Sequence, residues 1–219
     1  GAAAGLSALS SVGMSGGRLY VADTANHRVL IWNSLPTQNG KAADVVLGQA
    51  DFNATGANRG QASAQGGSLK SPAGVYSDGT SLWVSDTGNS RVLIWNTATP
   101  TNGQAADLVV GQVNLTRNTT PVGASATVVS MPQGLSVLSG QLYIADAAFH
   151  RVLRFASLPT RNAAVASEAL GQPTLTASGA NNGGISVQRL NIPVEILATE
   201  SGIYIADSGN SRIVALPPP

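Results

Sequence analysis

Apolar and polar positions in this chain come in blocks rather than singly. Two short apolar runs, Leu19–Ala22 and Val29–Trp32, flank the polar turn Asp23–Arg28. The arrangement returns at 82–96, 142–155 and 203–215, at intervals of about 60 residues. Runs of this length, rich in β-branched and aromatic residues, predict strands, so each unit predicts a hairpin. Neither run alternates apolar with polar, so both faces of the hairpin are expected to be buried. A sandwich would leave one face wet. A radial stack of small sheets hides both faces, and the pattern therefore predicts an all-β propeller of four-stranded antiparallel blades.

The other two strands of each unit follow from the same register. Inner strands are expected within 6–14, 69–77, 129–137 and 190–198, the last three carrying Pro72, Pro132 and Pro193 near their start, where no ladder donor is needed. Outer strands are expected in 43–49, 106–112 and 167–172, each ending in Gly-Gln. The units run about 6–68, 69–128, 129–189 and 190–219 within one domain, 1–219, and the last lacks its outer strand. A larger ring or a second chain would complete such an array, and an open ring would favour self-association through an exposed blade face. Stretches 51–68, 113–128 and 173–189 are long, polar connections. Blade topology puts them on the same side as the hairpin turns, and long loops on one side of a repeat array mark its binding face.

Each turn carries an Asp and, five positions on, an Arg: Asp23 and Arg28, Asp86 and Arg91, Asp146 and Arg151, Asp207 and Arg212. Because every unit has the pair, bracing of the hairpin is the expected role rather than a ring of charges around a ligand. The string Tyr20-Val-Ala-Asp-Thr-Ala-Asn-His-Arg-Val-Leu30 resembles the NHL repeat, named for its Asn-His-Leu run and found in β-propellers. The strand–Asp–turn–Arg–strand core occurs in all four units; Ser90 and Ser211 replace the His in two of them, and Phe149 replaces the Asn in the third. The resemblance implies a propeller. It also implies relatives that bind RNA through a basic surface, and one lyase with a histidine-lined metal centre.

Composition narrows these options. Charged residues are 11%, the net charge is +1, and Lys41 and Lys70 are the two lysines, so no basic stripe for nucleic acid is expected. No apolar run approaches the length of a membrane span. The absence of cysteine excludes disulfides and thiolate zinc sites. The Gly1–Gly5 start reads as a trimmed or mature end, and the wealth of Asn, Thr, Ser, Gly and Ala predicts a secreted or cell-surface protein. His27 and His150 are the two histidines, too few for a three-histidine centre. No catalytic residue set and no cofactor are predicted. The expected function is a non-catalytic binding or scaffold module for a protein, peptide or glycan, working through the loop-rich face. The alternative is a metal-dependent hydrolase or lyase with a cation on the propeller axis, for which Glu195, on an innermost strand, is the metal-ligand candidate. Ligand-face candidates are the turn residues Asn26, His27, Asn89, Phe149, His150 and Asn210, of which Phe149 and the two His vary among the copies.

Overall fold

The computed structural model describes residues 5–218; most of the expected mature end, 1–4, lies outside them. Among the described residues there are four antiparallel sheets. Blade 1 is β1 (Leu9–Ser15), β2 (Arg18–Asp23), β3 (Arg28–Trp32) and β4 (Val45–Leu47). Blade 2 is β5 (Gly74–Ser77), β6 (Leu82–Asp86), β7 (Arg91–Trp95) and β8 (Leu108–Val110). Blade 3 is β9 (Pro132–Leu138), β10 (Gln141–Asp146), β11 (Arg151–Phe155) and β12 (Glu168–Leu170). Blade 4 is β13 (Pro193–Thr199), β14 (Gly202–Asp207) and β15 (Arg212–Leu216), with no fourth strand. Every sheet is a meander in which consecutive strands pair, and the inner strands touch in the order β1, β5, β9, β13. β1, β9 and β13 begin at one register position, Leu9, Pro132 and Pro193, within the stretches expected for inner strands.

The core lies between blades. Tyr20, Ala22, Val29 and Ile31 of blade 1 pack on Val75, Val84, Leu93 and Trp95 of blade 2. Trp83, Val92 and Ile94 of blade 2 meet Leu135, Ile144, Leu153 and Phe155 of blade 3 in the same way. Tyr143 and Val152 then meet Ile196, Ile205 and Val214 of blade 4. Residues adjacent in a strand thus bury on opposite neighbours, which is why the strands read as continuous apolar runs.

The expectation of two buried faces holds for blades 2 and 3 and fails at the two ends. In blade 1, Val12 is 67% exposed, whereas its counterpart Val75 is 6% exposed; in blade 4, Tyr204 is 38% exposed, whereas Tyr20 and Tyr143 are fully buried. β1 and β13 make no contact comparable to those between successive inner strands. The four blades form an open arc, and each end presents the face that a neighbour covers elsewhere.

Candidate functional site

The hairpin turns of all four blades share one geometry. A single 3-10 turn (Thr24–Asn26, Thr87–Asn89, Ala147–Phe149, Ser208–Asn210) is closed by a residue in the left-handed conformation. That residue is His27, Ser90, His150 or Ser211, with φ between 51° and 54°. Positive φ falls on the His/Ser position rather than on the Asn or Gly that favours it most. The Asn has other work. Asn26, Asn89 and Asn210 each donate Nδ2 to Oδ2 of the Asp three residues earlier, at 2.9, 2.8 and 2.7 Å.

Each Asp–Arg pair closes as an ion pair across its own hairpin turn. Nε of Arg28, Arg91, Arg151 and Arg212 lies 2.7, 2.7, 2.8 and 2.7 Å from its Asp. The other carboxylate oxygen accepts a backbone N–H from the lead-in to the inner strand: Ser7, Lys70, Ser130 and Asn191, all at 2.7 Å. Each guanidinium then reaches into the long loops. Arg91 donates to the carbonyls of Leu115, Gln65 and Ser68; Arg151 donates to those of Leu175, Ser125 and Val128. One ion pair therefore ties together a hairpin turn, an inner strand and the loops before and after its own blade. Burial raises the Asp86 carboxyl above its usual range, against Arg91, Asn89 and the Lys70 N–H. The Asp146 carboxyl is pushed up to about 6 by burial, against Arg151 and the Ser130 N–H.

The turn candidates are mostly engaged within the fold. His27 Nδ1 accepts the Ser71 N–H at 3.0 Å and His150 Nδ1 accepts the Ile192 N–H at 3.1 Å, so each links its turn to the next blade. Partial burial lowers both imidazoles, aided by Lys70 at His27, while Asp86 and Asp207 respectively oppose the shift. Phe149 is buried, with the Arg151 guanidinium 5.2 Å from its ring centroid. Asn89 and Asn210 form reciprocal amide pairs, Asn89 with Asn58 (2.8 and 3.1 Å) and Asn210 with Asn181 (2.7 and 2.8 Å).

Asn58 and Asn181 escaped the sequence reading although a signal was present. Gly-Ala-Asn occurs at 56–58 and 179–181, in the two loops that precede units with Asn at the turn; the loop before the Phe149 unit lacks it. The repeated Gly-Gln also has a defined task. Gln49, Gln112 and Gln172 fold their amides back onto the carbonyls of His27, Ser90 and His150 at 3.0, 3.1 and 3.0 Å, and onto those of Gly56, Thr119 and Gly179.

Glu195 lies against Gly134 of the neighbouring inner strand, where any larger residue would collide with it. Burial raises its carboxyl, against the Ile196 N–H that its Oε1 accepts at 2.9 Å. Among the described residues, no three His, Asp or Glu side chains are grouped to hold a metal ion. None of their helices is long and apolar enough to cross a membrane.

The NHL repeat family matches residues 10–32, which is β1 through β3 of blade 1. Blades 2 to 4 repeat that stretch with the same Asp–Arg geometry. The first blade carries an NHL repeat, and the four sheets are the blades of a β-propeller. No curated protein matches the sequence of this propeller. Among solved structures, a chain of the nidogen–laminin complex is 16% identical with a TM-score of 0.56, over 97% of this chain and 60% of that one. The computationally designed Ika4 protein is 8% identical with a TM-score of 0.52, over 100% of this chain and 96% of that one. Streptogramin B lyase is 9% identical with a TM-score of 0.51, over 97% of this chain and 55% of that one. At such identities the likeness is one of fold, and the chain spans only part of the natural proteins it resembles.

Proposed function

We propose that the propeller is a non-catalytic module that binds a protein partner outside the cell through its loop-bearing face. The observation that carries this reading is a set of exposed apolar side chains on clamped loops. Val113 (66% exposed), Val122 (107%), Ile185 (69%) and Val187 (64%) all project from the loops between blades. Those loops are held by Arg91, Arg151 and Arg212, which donate to carbonyls within them. Apolar groups on pre-ordered backbone suit protein recognition, because little loop entropy is lost on docking. A neighbour of the same fold that takes part in a nidogen–laminin complex supports the reading by analogy.

The test is a panel of extracellular proteins measured by biolayer interferometry. Val122→Glu and Ile185→Glu are expected to weaken a captured partner at least tenfold. Val165→Glu, in the β11–β12 connection on the opposite side, is expected to leave it unchanged. Binding insensitive to every loop variant would move the site elsewhere. Elemental analysis separates the alternative of a metal-dependent hydrolase or lyase: a stoichiometric cation in the purified protein would favour that chemistry over this one.

A further inference from the structure

The Asp–Arg braces account for eight charged side chains, and the fold sorts the others by side. On the side of the hairpin turns and long loops stand Arg59, Lys70, Arg117 and Arg189 against a single acid, Asp51, a net charge of +3. At the far end lie the turns between first and second strands and the connections to the outer strands. There Arg18, Lys41 and Arg161 stand against Asp44, Asp78, Asp107 and Glu200, a net charge of −1. Arg154 and Glu168 pair with each other on blade 3 at 2.9 Å, and Glu195 lies on β13.

The acids of the far end are engaged within the fold. Asp44 and Asp107 accept the N–H of Asn33 and Asn96, Asp78 accepts those of Thr80 and Ser81, and Glu200 accepts the Ser139 hydroxyl. The four cations of the loop side form no ion pair among the described residues. Two of them are set in place by carbonyls instead. Arg59 donates Nη2 to the carbonyls of Gln49 and Gly103 at 3.3 and 2.9 Å, and its Nε is buried without an acceptor. Arg189 donates Nε to the Asn182 carbonyl at 2.5 Å and Nη1 to that of Gln188 at 3.0 Å. Such contacts hold a guanidinium in position but leave its charge uncompensated. The first two loops also meet: Asn118 Nδ2 donates to the Ala62 carbonyl at 3.3 Å, and Leu115 lies beside Gly66. Val113 and Val187, both exposed, are near neighbours of Arg117 and Arg189 along the chain, so charge and apolar surface interleave.

We propose that the partner of the loop face is an acidic polypeptide segment in which Asp or Glu residues are interspersed with apolar ones, an inference that rests on the loop-face reading above. Its carboxylates compensate Arg59, Lys70, Arg117 and Arg189, and its apolar side chains cover Val113, Val122, Ile185 and Val187. The negative far end repels the same segment, which fixes the side on which it docks. A nucleic acid or sulfated glycan brings the charge without aliphatic side chains, and would leave the loop valines wet. Four cations spread over the connections between blades also fall short of the dense basic stripe that a polyanion neutralises.

The test titrates the whole chain into a fluorescein-labelled synthetic peptide in which Asp and Glu alternate with Leu and Phe, read by anisotropy. Saturable binding is expected. Arg117→Glu/Arg189→Glu should weaken it at least tenfold, as should raising NaCl from about 0.05 to about 0.5 M, while Arg161→Glu at the far end should leave it unchanged. Far-UV circular dichroism checks that the double variant is folded, and Lys70→Glu, at an exposed position, gives a second charge reversal in the same direction. Peptides with Lys in place of the acids, or Ser in place of Leu and Phe, are expected to lose binding. Absence of saturable binding, equal binding of the Lys peptide, or tighter binding of heparin or single-stranded DNA overturns the proposal. A protein captured in the extracellular panel separates the two possible failures. If Val122→Glu weakens its binding and Arg117→Glu/Arg189→Glu does not, the acidic partner is overturned and the loop face stands; if neither variant matters, the loop-face reading falls as well.

Discussion

Removing the carboxylate of one brace tests whether the Asp–Arg pairs hold the loop face together. Asp86 is fully buried and accepts from Lys70 N, Asn89 Nδ2 and Arg91 Nε. In Asp86→Ala the Arg91 guanidinium stays sealed from water with its charge uncompensated, a loss of about 3–5 kcal/mol for a broken buried pair. The orphaned Lys70 N–H adds about 1–3 kcal/mol. The burial that raises the Asp86 carboxyl offsets part of this, because the ionised group is itself costly to bury. A net loss of about 4–6 kcal/mol is expected, a large part of the ~5–15 kcal/mol that a domain has. Asp207→Ala removes the equivalent group in blade 4, where Arg212 is 24% exposed and water can solvate the freed charge; about 1–3 kcal/mol is expected there. Urea unfolding followed by far-UV circular dichroism compares the two through their midpoints. Equal losses, or a loss under about 1 kcal/mol for Asp86→Ala, would refute the argument that sealing from water sets the cost.

Other predictions follow from single contacts. Gly111→Ala places a Cβ against the Val129 side chain at φ +91° and should cost about 1–3 kcal/mol by thermal unfolding. Tyr20→Phe, which deletes the 2.9 Å bond to the Ala98 carbonyl between blades 1 and 2, should cost about 1–3 kcal/mol, since that buried carbonyl loses its donor. His27 and His150 have lowered folded-state values, so below about pH 6.5 the unfolded chain binds more protons and stability falls with acidification. The double variant His27→Ser/His150→Ser, which copies the other two turns, should flatten that slope in unfolding midpoints taken between pH 7.5 and 5. Asp146 gives the opposite sign. Its folded value of about 6 exceeds the ordinary 3.8, so its contribution declines as pH rises through that window; a carboxyl NMR titration with a midpoint near 3.8 would contradict it.

The propeller was legible in the sequence because its information is local and repeated. Tyr20-Val-Ala and Val29-Leu-Ile-Trp32 are apolar at consecutive positions, and only burial on both sides of a sheet accounts for that. Asp23 and Arg28 recur in step, and opposite charges at fixed spacing across a two-strand turn have little choice but to meet. Which turn residues remain free was not legible. Asn89 and Asn210 look like ligand contacts along the chain, yet in space each is taken by an Asn about 30 residues earlier. His27 and His150 look like functional departures from the repeat, but the start of the next blade supplies the N–H that each imidazole accepts. The missing outer strand of the last unit was already visible along the chain; tertiary structure alone decided that, among the described residues, β1 and β13 do not come together. A strand's own residues set which of its faces are apolar, while whether those faces and edges are covered depends on what the rest of the polypeptide brings beside them.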